Sequence, residues 1–340
     1  MILASLITEL PAQLGQIFYT IVLPILLIVG IGWIIQRKLG LEMTTLRRLN
    51  FYFVMPAIIY YSLVTSSLTA GIVGKVVGFA LACLCIQGVL TYAAARVRGL
   101  APDLRRAMMM TTMFHNSGNY GLPLQDLAFD PVGRGGDARG CQVFVMVTQN
   151  LVSFTAGILI VSGGKKDRHW RENLLHILKF PPLYAITAAL ITVLIGRWLG
   201  EAAPGVADKL APLWTVVERV KDAFIAVALL TLGAQLALVA RQKHKYPVKL
   251  SVILRLLCGP AIALAVIYVM LHTVGITSFV AQVLLISSAT PTAVNCMLLC
   301  PEFENHPDFA ARAVFYSTLL SPITVTLTIF LAQGKFLPGF

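Results

Sequence analysis

Charge is scarce in this sequence. Asp, Glu, Lys and Arg together make up 12% of 340 residues, against about a quarter in soluble domains, which excludes a water-facing globule. Acids are the scarcer sign, 15 against 27 Lys and Arg for a net charge of +12. The six cysteines, Cys83, Cys85, Cys141, Cys258, Cys296 and Cys300, lie in or beside apolar runs without metal or disulfide spacing. They read as small packing residues, so neither a metal nor a cofactor is expected. His-Glu-x-x-His, Gly-x-Ser-x-Gly and a carboxylate pair within an apolar run are all missing, and no enzyme activity is expected. The N-terminal stretch lacks a basic n-region and a clear cleavage site, so no removed signal peptide is expected.

Apolar side chains fill the space that charge leaves, at 57% of residues. A helix needs about 20 apolar residues to cross a hydrocarbon core of roughly 30 Å. Ten runs fit: Ile17–Ile35, Asn50–Leu63, Ile72–Ala95, Ala107–Phe129, Val143–Val161, Leu183–Leu199, Ala223–Ala240, Val252–Leu271, Phe279–Cys300 and Ala313–Leu331. Together they predict an all-α polytopic membrane protein whose connections are too short to hold a soluble module. Connections after odd-numbered runs hold most of the Lys and Arg, among them Arg37, Arg47, Arg98, Arg106, Lys165, Arg171, Lys243 and Lys249. Such alternation is the positive-inside pattern, not a nucleic-acid footprint. It predicts a multi-pass membrane protein with both termini outside, and the plasma membrane is the expected location. Lys165–Phe180, basic on one side and apolar on the other, predicts an interfacial segment. The Gly-rich run Asp130–Gly140 lacks a Gly-Lys-Ser/Thr ending and predicts a flexible external turn.

Two runs carry polar and helix-breaking residues near their middles. The fourth contains His115-Asn116-Ser117-Gly118-Asn119-Tyr120-Gly121-Leu122-Pro123, and the ninth Ser287-Ser288-Ala289-Thr290-Pro291-Thr292-Ala293-Val294-Asn295. Lipid cannot satisfy a broken backbone, so such breaks line a protected cavity, and paired breaks point to a substrate site at the bilayer midplane. Pro123 and Pro291 are 168 residues apart, and the same offset sets Gln149 in Thr148-Gln149-Asn150 against Ser317 in Tyr316-Ser317-Thr318. An inverted repeat of five helices, residues 1–170 and 171–340, explains both.

Half-helix N-termini and amide donors at such breaks suit an anion. Asn116, Asn119 and Asn295 are candidate ligands, with Gln149 and Asn150 in the polar cluster of the fifth run. The alternative is that Asn116 and Asn119 only cap the broken turns. Asp126, one turn past Pro123, is either an interface residue or a proton carrier, and His115 either a coupling or a structural residue. Without a buried carboxylate pair, uncoupled export is favoured, since an inside-negative potential drives an anion out by about 2.3 kcal/mol per 100 mV. Proton- or sodium-coupled dicarboxylate transport, a channel and a sensor on a transporter fold remain alternatives. Arg255, near the cytoplasmic end of the eighth run, is expected to snorkel to the interface.

Asn116 to Pro123 resembles the Asn-x-Gly-Asn-x-Gly-Leu-Pro signature of the auxin efflux carriers and their bacterial relatives. Leu232-Gly233-Ala234-Gln235-Leu236, and the stretch from Glu302 through His306-Pro307-Asp308 to Ser321-Pro322-Ile323-Thr324, are similar to the family's seventh helix and the start of its tenth. The resemblance implies ten helices in two inverted five-helix repeats, like those of sodium–proton antiporters and bile-acid symporters, crossing at Pro123 and Pro291. It also implies a homodimer whose scaffold, helices 1, 2, 6 and 7, carries a moving domain of helices 3–5 and 8–10 in an elevator. Asn116 and Gln149 match the positions that hold a carboxylated substrate in plant members. The chain lacks their long cytoplasmic loop and has Cys296, Ala226 and Phe180 where relatives carry Pro, Pro and Asn. A small organic anion or auxin-like weak acid, rather than auxin itself, is the expected partner.

Overall fold

A computed structural model describes residues 2–163, 181–199, 206–239 and 246–334. Among them the chain is helical, with no strand, and six helices are long and apolar enough to cross a membrane. Within lipid a helix satisfies its own backbone, and that constraint shapes nearly everything here. We label the helices α1 (Leu10–Leu39), α2 (Met55–Thr65), α3 (Ala70–Val97), α4 (Pro102–Met113), α5 (Gly121–Phe129), α6 (Gly135–Ser162), α7 (Pro181–Leu199), α8 (Ala211–Ala237), α9 (Val248–Thr273), α10 (Ser278–Ser288), α11 (Cys296–Glu302) and α12 (Pro307–Gln333). The expected interfacial segment Lys165–Phe180 lies outside the described residues.

Local chemistry sets the ends. The hydroxyls of Thr69 and Thr277 accept from Ile72 N and Val280 N at the starts of α3 and α10, filling the role of an N-cap. Pro102 and Pro307 open α4 and α12, where a missing N–H costs nothing. A short helix, Met43–Leu49, precedes α2 through a π-helical turn, Asn50–Val54, and the Glu42 carboxylate caps it by accepting from Thr44 N and Thr45 N at 2.9 and 2.7 Å.

Three sequence expectations need correction. The seventh apolar run is preceded by a further helix, Val206–Asp222, set off from Phe224–Ala237 by a turn at Ala223; Glu218, Arg219 and Lys221 made that stretch read as a connection. The Gly-rich run is largely helical, since Asp130–Val132 forms a 3-10 turn and α6 starts at Gly135. Arg139 is held there by an ion pair with Asp126, and a Cβ at Gly140 would press into Leu68, so this stretch is packed. Finally, Arg255 does not snorkel: it is 3% exposed inside the bundle.

Packing divides the helices into groups. α1 and the second half of α8 lie against each other most extensively, and glycines make that approach possible: a Cβ on Gly32 would overlap the Leu230 carbonyl, and one on Gly233 the Val29 carbonyl. Backbones meeting across small residues are the usual association mode in lipid, where apolar side chains gain nothing by leaving their solvent. α2 packs on α7 and on the first half of α8, with Tyr60 and Thr192 hydroxyls 2.9 Å apart and Tyr61 stacked on Trp214. A second group joins α3 to α4, α6 and α9, and α12 to α10 and α11.

Candidate functional site at two broken helices

Between α4 and α5, and between α10 and α11, the chain leaves helical geometry at residues 114–120 and 289–295. Each break strands helix-end carbonyls and N–H groups that must find new partners in the protein. They find them in each other. Asn116 N donates to Pro291 O at 2.7 Å and Ala293 N to Phe114 O at 2.9 Å, making an antiparallel bridge at His115 and Thr292. The remaining groups draw on side chains. His115 N donates to Gln149 Oε1 (3.1 Å), Thr292 N to Ser317 Oγ (3.1 Å), and the Thr292 hydroxyl to Thr111 O (2.8 Å). Thr290 donates to Ser287 O at 2.8 Å and is left to accept from His115 Nδ1 at 2.6 Å. Gln149 and Ser317 thus have backbone duties that fix the bridge.

Pro291 contributes its carbonyl to the crossing itself, whereas Pro123 sits in the first turn of α5, beyond the break. Helix boundaries around the breaks follow an offset of 175 residues, the separation of the bonded pair His115 and Thr290, and the same offset relates Met113 to Ser288 and Gly121 to Cys296. The offset of 168 that pairs the two prolines therefore does not align the helices; proline is tolerated both in a break and in a helix's first turn, so it marks different positions here.

A small cavity of about 50 Å³ opens beside the bridge, lined by Asn116, Asn119, Gln149, Asn150 and Asn295 together with His115. All five candidate ligands reach it. Asn295 Nδ2 donates to Asn150 Oδ1 at 2.8 Å, joining the ninth run to the fifth. Asn116 is 6% exposed and its Nδ2 has no protein partner. A buried amide donor without an acceptor costs about 1–3 kcal/mol, an expense that a bound acceptor would offset. Ser153 Oγ on the same wall is likewise unpartnered.

Phe51 and Met55, at the start of the second run, also line the cavity. From there Asn50 Nδ2 donates to Asn119 Oδ1 at 3.0 Å. Sequence inspection did not single out Asn50, at the very start of its run, or Ser153, three residues past the cluster Thr148-Gln149-Asn150. Asp126 stands away from the cavity, paired with Arg139.

Residues 17–329, nearly the whole chain, match the sequence profile of membrane transport proteins. The chain belongs to the auxin efflux carrier family. Two archaeal proteins, both named only as uncharacterized transporters, are similar along almost their full lengths. The one from Methanothermobacter thermautotrophicus is 25% identical, with 90% of this chain and 95% of the relative covered. The other, from Methanocaldococcus jannaschii, is 23% identical, with 90% and 96% covered. Family membership and the apolar helices make the chain a multi-pass membrane transporter rather than an enzyme.

Proposed function

We propose that this carrier exports small organic anions, carboxylates above all, without a coupling ion and by an elevator movement. The observation that carries the proposal is the cavity at the crossing, where the buried Asn116 Nδ2 lacks an acceptor beside the N-terminus of α5. An amide donor and the positive end of a helix dipole suit an anion's oxygen. Amides from α6 and from the second break supply further polar wall.

Two inverted five-helix repeats would relate the breaks by a two-fold axis in the membrane plane. In support, the bridge at His115 and Thr292 has a local two-fold of its own, which exchanges its two hydrogen bonds, Asn116 N to Pro291 O and Ala293 N to Phe114 O. The elevator has support in the packing, since α1, α2, α7 and α8 associate among themselves while the cavity lies between α2 and the breaks. The division fits a scaffold of helices 1, 2, 6 and 7.

The test is transport in liposomes by the purified chain, with labelled carboxylates, an imposed potential, and Asn116→Ala for comparison. Saturable, potential-driven flux that falls with the variant is expected. Flux that requires a sodium or proton gradient would sink uncoupled export, and linear flux without saturation would favour a channel.

A further inference from the structure

Arg255 lies in the π-helical turn Leu254–Cys258 of α9, buried at the depth of the crossing. An ionised side chain inside a membrane bundle is costly and calls for a partner. Among the described residues, none of its contacts is an ion pair with an acid. Its Nη1 instead donates to Thr112 O at 3.0 Å and its Nη2 to Ser288 O.

Those two carbonyls are special. In an unbroken helix Thr112 O would accept from Asn116 N, and Ser288 O from Thr292 N, four residues on. The breaks redirect both donors, Asn116 N to Pro291 O and Thr292 N to Ser317 Oγ. One guanidinium therefore replaces the two N–H groups that the crossing takes away, one at the end of α4 and one at the end of α10. Charge closes as well: each helix C-terminus carries roughly half a negative charge, and one guanidinium balances two of them. Backbone geometry leaves room for this arrangement, since a Cβ at Gly259 would overlap the guanidinium. A second, smaller cavity of about 20 Å³ touches Arg255 and shares His115 and Gln149 with the substrate cavity.

We infer that Arg255 is a resident counter-cation of the crossing, a positioning residue that neutralises the C-terminal ends of α4 and α10. With those ends neutralised, the N-terminal end of α5 is left for the transported anion. The inference deepens the export proposal and rests on it for its transport readout. No bound metal ion or proton need neutralise the helix ends, so a coupling cation has no vacancy to fill.

The experiment uses the full chain with Arg255→Lys, Arg255→Gln and Arg255→Ala, read by carboxylate flux in liposomes and by thermal unfolding in detergent. Hydrogen bonds to a charged group are strong enough that Arg255→Gln should lose about tenfold or more of flux. Arg255→Lys, which keeps the charge, should stay within about threefold of wild type. Guanidinium chloride at subdenaturing concentration should raise the melting temperature of Arg255→Ala, lower that of the wild type slightly as a denaturant does, and restore flux to the variant. Equal loss in the Lys and Gln variants, or wild-type flux in Gln, overturns the role of charge. Absence of any guanidinium-dependent stabilisation of Arg255→Ala overturns the vacancy argument; should Ala not fold, the Lys and Gln comparison still decides. If the wild type carries no carboxylate at all, the export proposal fails, while the guanidinium melting shift still judges Arg255.

Discussion

Asn116 N–H is bonded to the Pro291 carbonyl at 2.7 Å, while the same residue's side-chain Nδ2 has no partner in the protein. One asparagine thus has its backbone committed to the crossing and its amide held ready in a cavity. Capping does not account for this side chain: a capping Asn accepts a helix N–H through its Oδ1, and α5 starts without any side-chain cap.

Replacing the side chain should therefore separate cargo binding from fold. Asn116→Ala keeps the backbone bond to Pro291, removes a buried unsatisfied donor, and should leave the melting temperature unchanged or slightly raised. Carboxylate flux should fall about tenfold, the scale of a hydrogen bond to a charged group. Asn116→Asp places like charge against an anion and should fall further. Thermal unfolding together with liposome flux checks both; a destabilised Asn116→Ala with unchanged flux would return the residue to a structural role.

The glycine contact between α1 and α8 makes a stability prediction independent of transport. A Cβ at Gly233 would overlap the Val29 carbonyl, and backbone cannot move aside as a flexible side chain does. Gly233→Ala should destabilise by about 1–3 kcal/mol, the usual cost of overpacking, seen as a lower melting temperature in detergent. Gly30→Ala, whose Cβ meets nothing within 4 Å, serves as the neutral control.

Acid should weaken the short helix Met43–Leu49 that precedes the second run. Hydrogen bonds from Thr45, through its hydroxyl and its N–H, and from Thr44 hold the Glu42 carboxyl down at about 2, from an ordinary value of 4.5. A carboxyl with a depressed pKa stabilises the fold fully above its unfolded value and loses that contribution as pH falls toward the folded one. The melting-temperature difference between wild type and Glu42→Gln should therefore be constant above pH 4.5 and shrink as pH falls toward about 2.

Much of this site was legible because lipid leaves a broken helix so few solutions. Proline and polar residues clustered within the fourth and ninth runs, with glycines in the fourth, point to protected breaks, and from them come the candidates Asn116, Asn119 and Asn295. Gln149 and Asn150 came from polar residues together in an otherwise apolar run. Arg255 was misread because a lone Arg near the end of a run ordinarily snorkels; only the redirected donors of Asn116 and Thr292 show that its guanidinium has two helix-end carbonyls to satisfy. The alignment of Pro123 with Pro291 failed for a related reason, as sequence cannot tell a proline inside a break from one that opens a helix.

Asn50 makes the last prediction. Its Nδ2 donates to Asn119 Oδ1 across 3.0 Å, from the π-helical turn that leads into α2 to the first break. If α2 belongs to the static group and the break to the moving one, this bond must open in each transport cycle. A buried neutral hydrogen bond is worth about 0.5–1.5 kcal/mol, so breaking it should change the saturated transport rate by about twofold to tenfold when movement limits turnover. Asn50→Ala and Asn119→Ala should then each raise the rate, and the double variant should raise it no further than the larger single change, because one shared bond cannot be lost twice. Additive effects in such a cycle would show that the two amides act separately, and a lowered rate in Asn50→Ala would make the bond part of the binding wall rather than a latch.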